Sequence, residues 1–205
     1  MKEVLVSLPY FGPIIQFKEL VGASKVWIEK EDNFQKQTYR NRMYIYGANG
    51  KLSLNIPIKH LPKTKVKVHQ KYTEVKIDND SKWQSVHWKS LKTAYQTSPF
   101  FEFYEDELAP LFQKEYETLY EFNQDCLETV LECLQLDLEF EFTTEYDKQP
   151  ANISDLRDLS NAKSNVAIPE YMQVFHEKHG FISNLSILDL LFNEGPNAVG
   201  YLRSM

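Results

Sequence analysis

The amino-acid sequence predicts an α/β fold: a small, mostly parallel twisted sheet begun by a strand–helix–strand unit, with an added antiparallel β-hairpin and a long amphipathic helix. Three observations predict it. Short β-type runs at residues 4–6 and 26–28 flank a segment of helical periodicity. Alternating apolar and polar residues on both sides of Asn49-Gly50 indicate a hairpin. Apolar residues also recur at helical spacing from 111 to 134.

The strand–helix–strand unit predicts where a ligand would bind. Residues 14–21 have helical spacing, Pro13 suits the first turn of that helix, and Gly22 suits its C-terminal cap. Two strands joined by such a helix should be parallel, with a right-handed connection. In parallel sheets, ligands bind beyond the carboxyl ends of the strands. Those ends are residues 7–13 and 29–33 in this sequence.

The middle of the chain is predicted to be a β-hairpin insertion at about residues 39–78. It contains the Asn49-Gly50 hairpin and a second pair of strands at 65–68 and 74–77. Because no linker or internal repeat is evident, we expect residues 1–205 to form a single domain.

The second half of the sequence is predicted to be mainly helical. Asp80 or Ser81 should cap a helix that ends before Ser98-Pro99, and the long amphipathic helix should begin at Pro110. An edge strand is expected at 138–142. A loop with a short helical turn at 155–159 then leads to a last helix, which ends at Gly195-Pro196.

The helix after residue 80 has an aromatic side. Trp83, His87, Leu91 and Tyr95 recur every four residues, so they lie along one side of it. The aromatic cluster that follows should be buried with them; it consists of Phe100, Phe101, Phe103 and Tyr104. The ordinary pKa of histidine lies near neutrality, so His87 is either an acid–base group or a hydrogen-bonded core residue.

Composition excludes several classes of protein. The net charge of −6 argues against a nucleic-acid partner, and the basic run at 59–71 is interpreted as a solvated surface. No stretch approaches the ~18 apolar residues of a membrane span, and the first residues lack a secretory signal pattern. Cys126 and Cys133 would lie ~10 Å apart along one helix, too far for a disulfide. We therefore expect a cytoplasmic protein.

Charged residues cluster after the second predicted strand. Glu29, Glu31 and Asp32 are candidates to hold a divalent cation or to act as a general base, or they form a solvated strand end. In the segment Arg40-Asn41-Arg42, two guanidinium groups flank an amide. They would bind a carboxylate or phosphate, or pair with the preceding acidic residues.

The remaining candidates lie near the C-terminus. His176 and His179 are spaced for a shared metal ion, but a third ligand is not evident, so we interpret them as a surface pair and predict no metal. Ser186 and Asp189 lie on one side of the last helix, and Asn184 is a candidate to cap it and to leave its first amides for an anion.

Four separated motifs resemble one protein family. The segments PYFGPI, EDNFQKQTYRNR, WQSVHWKSLKTAYQTSPFFEFY and GFISNLSILDLLFNEGP occur in this order and are similar to the WbqC-like proteins nearly end to end. Members often carry a His-Gln-Pro type start after the first strand, where this sequence has Ser7-Leu8-Pro9. Genes of this uncharacterised family occur in O-antigen clusters, and the resemblance implies a role in surface polysaccharide. Motif matching nominates Asp32, Arg42, His87, Tyr95, Asn184 and Asp189.

Two functional hypotheses follow. In the first, the protein is a transferase of bacterial surface polysaccharide (O-antigen type) biosynthesis that acts on an activated acyl, aminoacyl (for example glycyl) or nucleotide-sugar donor. Its catalytic residues would be His87, Asp32 and Asp189. Its substrate-binding residues would be Tyr10, Arg40, Asn41, Arg42, Tyr95, Asn184 and Ser186. In the second, it is a non-catalytic ligand-binding or assembly protein of the same system. The sequence identifies neither a cofactor nor an oligomeric state.

Overall fold

The computed structural model describes residues 2–59, 69–163 and 166–205. Its strands are β1 (Glu3–Ser7), β2 (Lys25–Glu29), β3 (Arg42–Gly47), β4 (Gly50–Asn55), β5 (Phe140–Phe142) and β6 (Ser154–Asp155). Its helices are α1 (Ile14–Val21), α2 (Trp83–Tyr95), α3 (Phe101–Leu108), α4 (Leu119–Cys133), α5 (His176–His179), α6 (Ile187–Glu194) and α7 (Ala198–Ser204).

A parallel four-stranded sheet confirms the predicted α/β class. The strand order is β5-β2-β1-β6, and β1 pairs with β2 from Glu3↔Lys25 to Ser7↔Glu29. The strand predicted at 138–142 is β5, at one edge of the sheet. At the other edge lies β6, in a segment that the sequence predicted to be a loop. It is two residues long, too short to leave a periodic pattern.

The β3–β4 hairpin is confirmed, with its loop one residue earlier than the Asn49-Gly50 signal indicated. Gly47 pairs with Gly50, so the loop residues are Ala48 and Asn49. Gly50 follows the loop with φ +97°, a conformation that favours glycine.

The strand predicted at 74–77 is wrong, and its predicted partner at 65–68 lies outside the described residues. A 3₁₀ turn, Tyr72–Glu74, begins this segment. Lys76 then makes an isolated bridge to Thr118, and the Ile77 amide donates to the Glu117 carbonyl (3.0 Å). The backbone of this segment is therefore shared between the residues before α4 and residues 58–59, where Ile77 bridges Ile58 and the Lys59 amide donates to the Lys76 carbonyl.

The long amphipathic helix begins at Leu119, so the predicted start at Pro110 is wrong. Residues Ala109–Phe112 form a separate 3₁₀ turn. Thr118 caps α4 by accepting from the Glu121 amide, and the Glu121 side chain accepts from the Thr118 amide. The sequence contains the pattern of this capping box, Thr-x-x-Glu. Apolar residues 111 and 112 extended the helical pattern across the break because they are buried as well.

The aromatic side of α2 is buried as predicted. Trp83, His87, Leu91 and Tyr95 are each at most 5% exposed. No side chain caps the start of α2, so the predicted capping by Asp80 or Ser81 is wrong. In the following cluster Phe101 is buried on α3, whereas Phe103 is 72% exposed.

The C-terminal part contains two helices that the sequence did not predict, α5 and α7. α6 ends before Gly195 as expected, but the 3₁₀ turn Gly195–Asn197 leads into α7. Cys126 is buried, Cys133 is half-buried, and both are free thiols. Among the described residues, none of the helices has the length and apolar character needed to cross a membrane.

Candidate functional site

A cavity of about 420 Å³ lies at the carboxyl ends of β1, β2 and β6. The strand–helix–strand unit predicted a ligand at these strand ends. Its lining is polar. The residues that form it are Asp32, Gln35, Lys36, Gln37, Thr38, Arg40, Tyr146, Lys148, Asp155, Arg157, Asp158, Ser160, Asn161 and Lys163.

A buried ion pair forms the inner wall of the cavity. Arg40 is 1% exposed and Asp32 is 4% exposed, and Nη2 of Arg40 donates to Oδ2 of Asp32. The same guanidinium donates to Oγ of Ser7 (2.9 Å) and to Oγ of Ser160 (3.3 Å). Within the described part of the chain, Oδ1 of Asp32 and Nε of Arg40 have no hydrogen-bond partner. Buried polar atoms are normally paired, so these two are candidates to bind a ligand.

A second ion network fixes the wall beside this pair. Oε1 of the buried Glu29 accepts from the Glu31 amide and from the hydroxyl of Thr143, both at 2.8 Å. Its Oε2 accepts from Nη1 of Arg157 (2.9 Å). Arg157 also binds both carboxylate oxygens of Asp155, and this pairing raises the pKa of the guanidinium. Bidentate pairs of this kind hold both side chains in one geometry.

The cavity is more positive than the protein as a whole. Five cationic side chains and three carboxylates line it, on a chain of net charge −6. Lys36, Lys148 and Lys163 are exposed, and none of them has an ion-pair partner among the residues described. A concave surface with an excess of cations attracts anions.

Burial raises the pKa of Asp32 above its ordinary value, although the neighbouring charge of Arg40 opposes the shift. Glu29, a second carboxylate nearby, acts in the same direction as burial. A raised pKa brings a carboxylate closer to the pKa expected of a general base at neutral pH.

His87 and Tyr10 lie in the apolar core and do not line the cavity. The Tyr10 hydroxyl and Nδ1 of His87 are hydrogen bonded at 2.9 Å, and the imidazole packs edge-on against Trp83. Burial lowers the pKa of His87 to about 4 and raises the pKa of Tyr10. The imidazole is therefore neutral at pH 7, and its surroundings are those of a hydrogen-bonded core histidine.

Asp189 and Tyr95 belong to a second buried network, which lies apart from the cavity lining. Oδ1 of Asp189 accepts from the Tyr95 hydroxyl (2.7 Å). Its Oδ2 accepts from the Tyr171 hydroxyl and from Nε2 of Gln173 (3.0 Å). Burial raises the pKa of Asp189, and these donors oppose the shift. The carboxyl group is 0% exposed, so the network joins α2, α6 and residues 171–173 in the interior.

The other predicted binding residues bond to the protein itself. Oγ of Ser186 caps α6 by accepting from the Leu188 amide and donates to the Phe11 carbonyl (2.7 Å). Asn184 does not cap α6 as predicted, because its Oδ1 accepts from the Ile15 amide at the start of α1 (3.0 Å). Asn41 donates to the Ile56 carbonyl (3.1 Å).

Arg42 is half-buried at the start of β3, where its Nη1 approaches the Tyr44 hydroxyl at 3.5 Å. Of the predicted site residues, the structure thus brings Asp32 and Arg40 together at the cavity. It distributes the others over the hairpin, the core and the start of α6.

His176 and His179 lie on α5, and the ring of His179 contacts the Ala48 carbonyl at 3.0 Å. Over the described ranges, no cluster of three or more His, Cys, Asp or Glu side chains is arranged to hold a metal ion.

Sequence reasoning missed Ser7, Arg157 and Ser160 as site residues. Ser7 stands at the predicted carboxyl end of β1, and that position was the available signal. Arg157 and Ser160 reach the cavity because β6 pairs with β1, so their role depends on a strand of two residues.

The family model of the WbqC-like protein family matches residues 8–164 and 160–201. The chain belongs to this family. It is also 27% identical, over 99% of its own length and 98% of the relative's, to the uncharacterised protein Rv1507c of Mycobacterium tuberculosis. No solved structure matches the chain.

Proposed function

We propose that this WbqC-like protein is a group-transfer enzyme of bacterial surface polysaccharide (O-antigen type) biosynthesis, whose activated anionic donor binds in the strand-end cavity. One observation carries the proposal: a buried carboxylate and a buried guanidinium line a cavity with excess positive charge, and each has a polar atom without a partner among the described residues. Such convergent polar groups in a concave site are typical of small-molecule sites.

In the proposed reaction Asp32 is the general base. Its Oδ1 accepts the proton of an acceptor hydroxyl or amino group, while Arg40 holds the other carboxylate oxygen. The acceptor oxygen or nitrogen forms a bond to the transferred carbon, and the bond from that carbon to the leaving group breaks. The leaving group takes the electron pair of that bond. Lys36 and Lys148 would stabilise its negative charge.

The proposal gives His87 and Asp189 positioning roles in the fold, because neither lines the cavity. It treats the donor as acyl, aminoacyl or nucleotide-sugar, since each of these carries an anionic leaving group.

The experiment that tests the proposal combines binding with a cellular assay. Nucleotide sugars, coenzyme A thioesters, acyl phosphates and amino acids are screened for thermal stabilisation of the purified protein. A strain that lacks the gene is then complemented with Asp32→Asn, and its surface polysaccharide is analysed by mass spectrometry. We expect Asp32→Asn to bind the stabilising compound but to lower polysaccharide modification at least about 100-fold, the lower range of general-base effects.

Asp106→Asn is the matched control, because Asp106 is an exposed carboxylate on α3. It should restore the modification fully. Wild-type levels of modification with Asp32→Asn would contradict the proposed role of Asp32. Unchanged polysaccharide in the deletion strain would contradict the proposed pathway.

One feature favours the second hypothesis, a non-catalytic assembly protein. An apolar groove lies between the hairpin and α2, where Leu52 is 39% exposed and Val86 is 57% exposed. Exposed apolar patches often mark partner surfaces. If assembly is the function, Leu52→Ser/Val86→Ser abolishes complementation and Asp32→Asn does not. The enzyme proposal expects the reverse.

A further inference from the structure

We infer that the cavity binds the nucleoside diphosphate part of the donor, with the base against Tyr146 and the phosphates among Lys36, Lys148 and Lys163. This inference rests on the proposed function and narrows its substrate class. It is carried by the aromatic side chain at the cavity, and by the lining lysines and buried atoms that have no partner among the described residues.

Tyr146 is an aromatic side chain of the cavity lining and is 51% exposed. The guanidinium of Arg157 lies 4.9 Å from its ring centroid, and Arg157 is in turn fixed by Glu29 and Asp155. One side of the ring is thus supported by a cation that is itself held in place. An exposed ring in this setting is a stacking surface for a planar base.

Three lysines of the cavity lining could bind a diphosphate, because none of them has an ion-pair partner among the described residues. Arg157 supports Tyr146, and Lys148 follows that tyrosine by two residues. Lys36 and Lys163 add flexible ammonium groups to the same lining. Ammonium groups bind phosphate oxygens as point charges, whereas guanidinium groups also fix their orientation. Base and phosphates would therefore contact adjacent parts of one wall.

The buried pair Asp32 and Arg40 at the inner wall of the cavity indicates a site that extends below the protein surface. Nε of Arg40 and Oδ1 of Asp32 lack partners in the described structure, although both residues are more than nine-tenths buried. Nε of Arg40 is a donor and Oδ1 of Asp32 is an acceptor, so a ligand group that can both accept and donate, such as a hydroxyl, would suit them. The volume of about 420 Å³ falls within the ~300–1,000 Å³ of small-molecule sites.

Two kinds of activated donor contain a nucleoside diphosphate: a nucleotide sugar, and a coenzyme A thioester through its adenosine diphosphate part. The chemistry at Tyr146 and the lysines is shared, so binding has to be compared across both sources. Isothermal titration calorimetry with UDP, GDP, ADP and pyrophosphate measures the shared part. UDP-sugar and GDP-sugar probes, and acetyl-coenzyme A, then separate the two sources.

The Tyr146 variants test stacking. We expect Tyr146→Ala to weaken binding of the preferred nucleoside diphosphate about tenfold, as the loss of one stacked base would. Tyr146→Phe keeps the ring and should stay within about twofold of wild type, because no hydrogen bond of the Tyr146 hydroxyl is found among the described residues. Pyrophosphate has no base, so its affinity should be the same in both variants.

The lysine variants test phosphate binding. Lys36→Ala/Lys148→Ala should weaken nucleoside diphosphate and pyrophosphate alike, by about tenfold, at low salt. Lys89→Ala is the matched control, because Lys89 is exposed on α2 beside the apolar groove. It should leave both affinities unchanged.

The outcomes separate this inference from the proposed function. If acyl phosphates bind and no nucleotide does, the nucleotide assignment is wrong and the group-transfer proposal stands. Equal affinity of Tyr146→Ala and wild type for every nucleotide also overturns the assignment. If no anionic compound of either panel binds, both the inference and the proposed function are overturned.

Discussion

Two buried carboxylates, Asp32 and Asp189, are held in different ways. Asp189 accepts from three side-chain donors, Tyr95, Tyr171 and Gln173, at 0% exposure. Asp32 binds a charged partner, Arg40, keeps one oxygen unpaired within the described structure, and lines a cavity. The difference indicates which carboxylate stabilises the fold and which is available to a ligand, since an unpaired buried polar atom costs stability and a bound ligand would supply the missing partner.

The largest effect is expected from breaking the Asp189 network. Asp189→Ala leaves three buried donors without an acceptor, at about 1–3 kcal/mol each, so we expect the free energy of unfolding to fall by about 4 kcal/mol. Asp189→Asn keeps one acceptor oxygen and should cost about half as much. Urea unfolding followed by circular dichroism measures both. A loss below about 1 kcal/mol for Asp189→Ala would show that the network does not stabilise the fold.

The next effect concerns the cavity pair. Arg40→Met leaves Asp32 without its buried partner and should lower the free energy of unfolding by about 3 kcal/mol. In the double variant Asp32→Asn/Arg40→Met no charge is left unpaired, so at least about 1 kcal/mol should be recovered.

Arg42→Met is the control for this pair, because Arg42 is half-buried and no ion-pair partner of it is found in the parts of the chain described. Its cost should stay below about 1 kcal/mol. Equal losses for Arg40→Met and Arg42→Met would contradict the difference in burial on which the assignment of the cavity pair depends.

A third prediction uses pH to examine His87. Its folded-state pKa of about 4 lies below the ordinary 6.5, so the unfolded state binds the proton more readily. The contribution of the neutral His87 imidazole to the free energy of unfolding is complete above pH 6.5. It is lost as the pH falls from 6.5 towards 4, so the free energy of unfolding should fall by roughly 2–3 kcal/mol.

The stability of wild type and His87→Gln is compared at pH 7 and pH 4. The raised pKa values of Asp32 and Asp189 act in the opposite direction, but they are common to both proteins and cancel in the comparison. The variant should lose less stability on acidification than wild type. Identical losses would contradict a buried neutral imidazole.

The smallest effect is expected at Ser186, a predicted ligand-binding residue that caps α6. Ser186→Ala should lower the free energy of unfolding by about 1 kcal/mol, the usual cost of a lost N-cap. Its affinity for pyrophosphate should equal that of wild type. A selective loss of affinity would place Ser186 in the ligand site.

Local patterns predicted much of the fold. The parallel β1–β2 pair, the hairpin and the buried side of α2 follow from periodicity and turn residues, which act over a few positions. The start of α4 was misplaced because buried residues 111 and 112 continue the apolar pattern, although the Thr118 capping box marked the true start. β6 depends on pairing with β1, more than 140 residues earlier, and has no local pattern.

The candidate site was predictable only in part, because several of its contacts join residues that are far apart in the sequence. Arg40 and Asp32 are eight residues apart and of opposite charge, so their pairing was one of the two readings that the sequence allowed. Ser160 reaches Arg40 across 120 residues, and Arg157 reaches Glu29 across 128. Histidine is a common catalytic residue, so the sequence made His87 a candidate. The hydrogen bond between His87 and the Tyr10 hydroxyl becomes visible only in the tertiary structure.

The contrast between the two carboxylates is tested most directly by titrating ¹⁵N-labelled protein with pyrophosphate and following the backbone amide shifts. We expect saturable shifts for residues 31–40 and 143–161, around the cavity, and none for 171–173 and 186–193, around Asp189. Shifts confined to the Asp189 region, or no shifts at millimolar pyrophosphate, would contradict the assignment of the strand-end cavity as the ligand site.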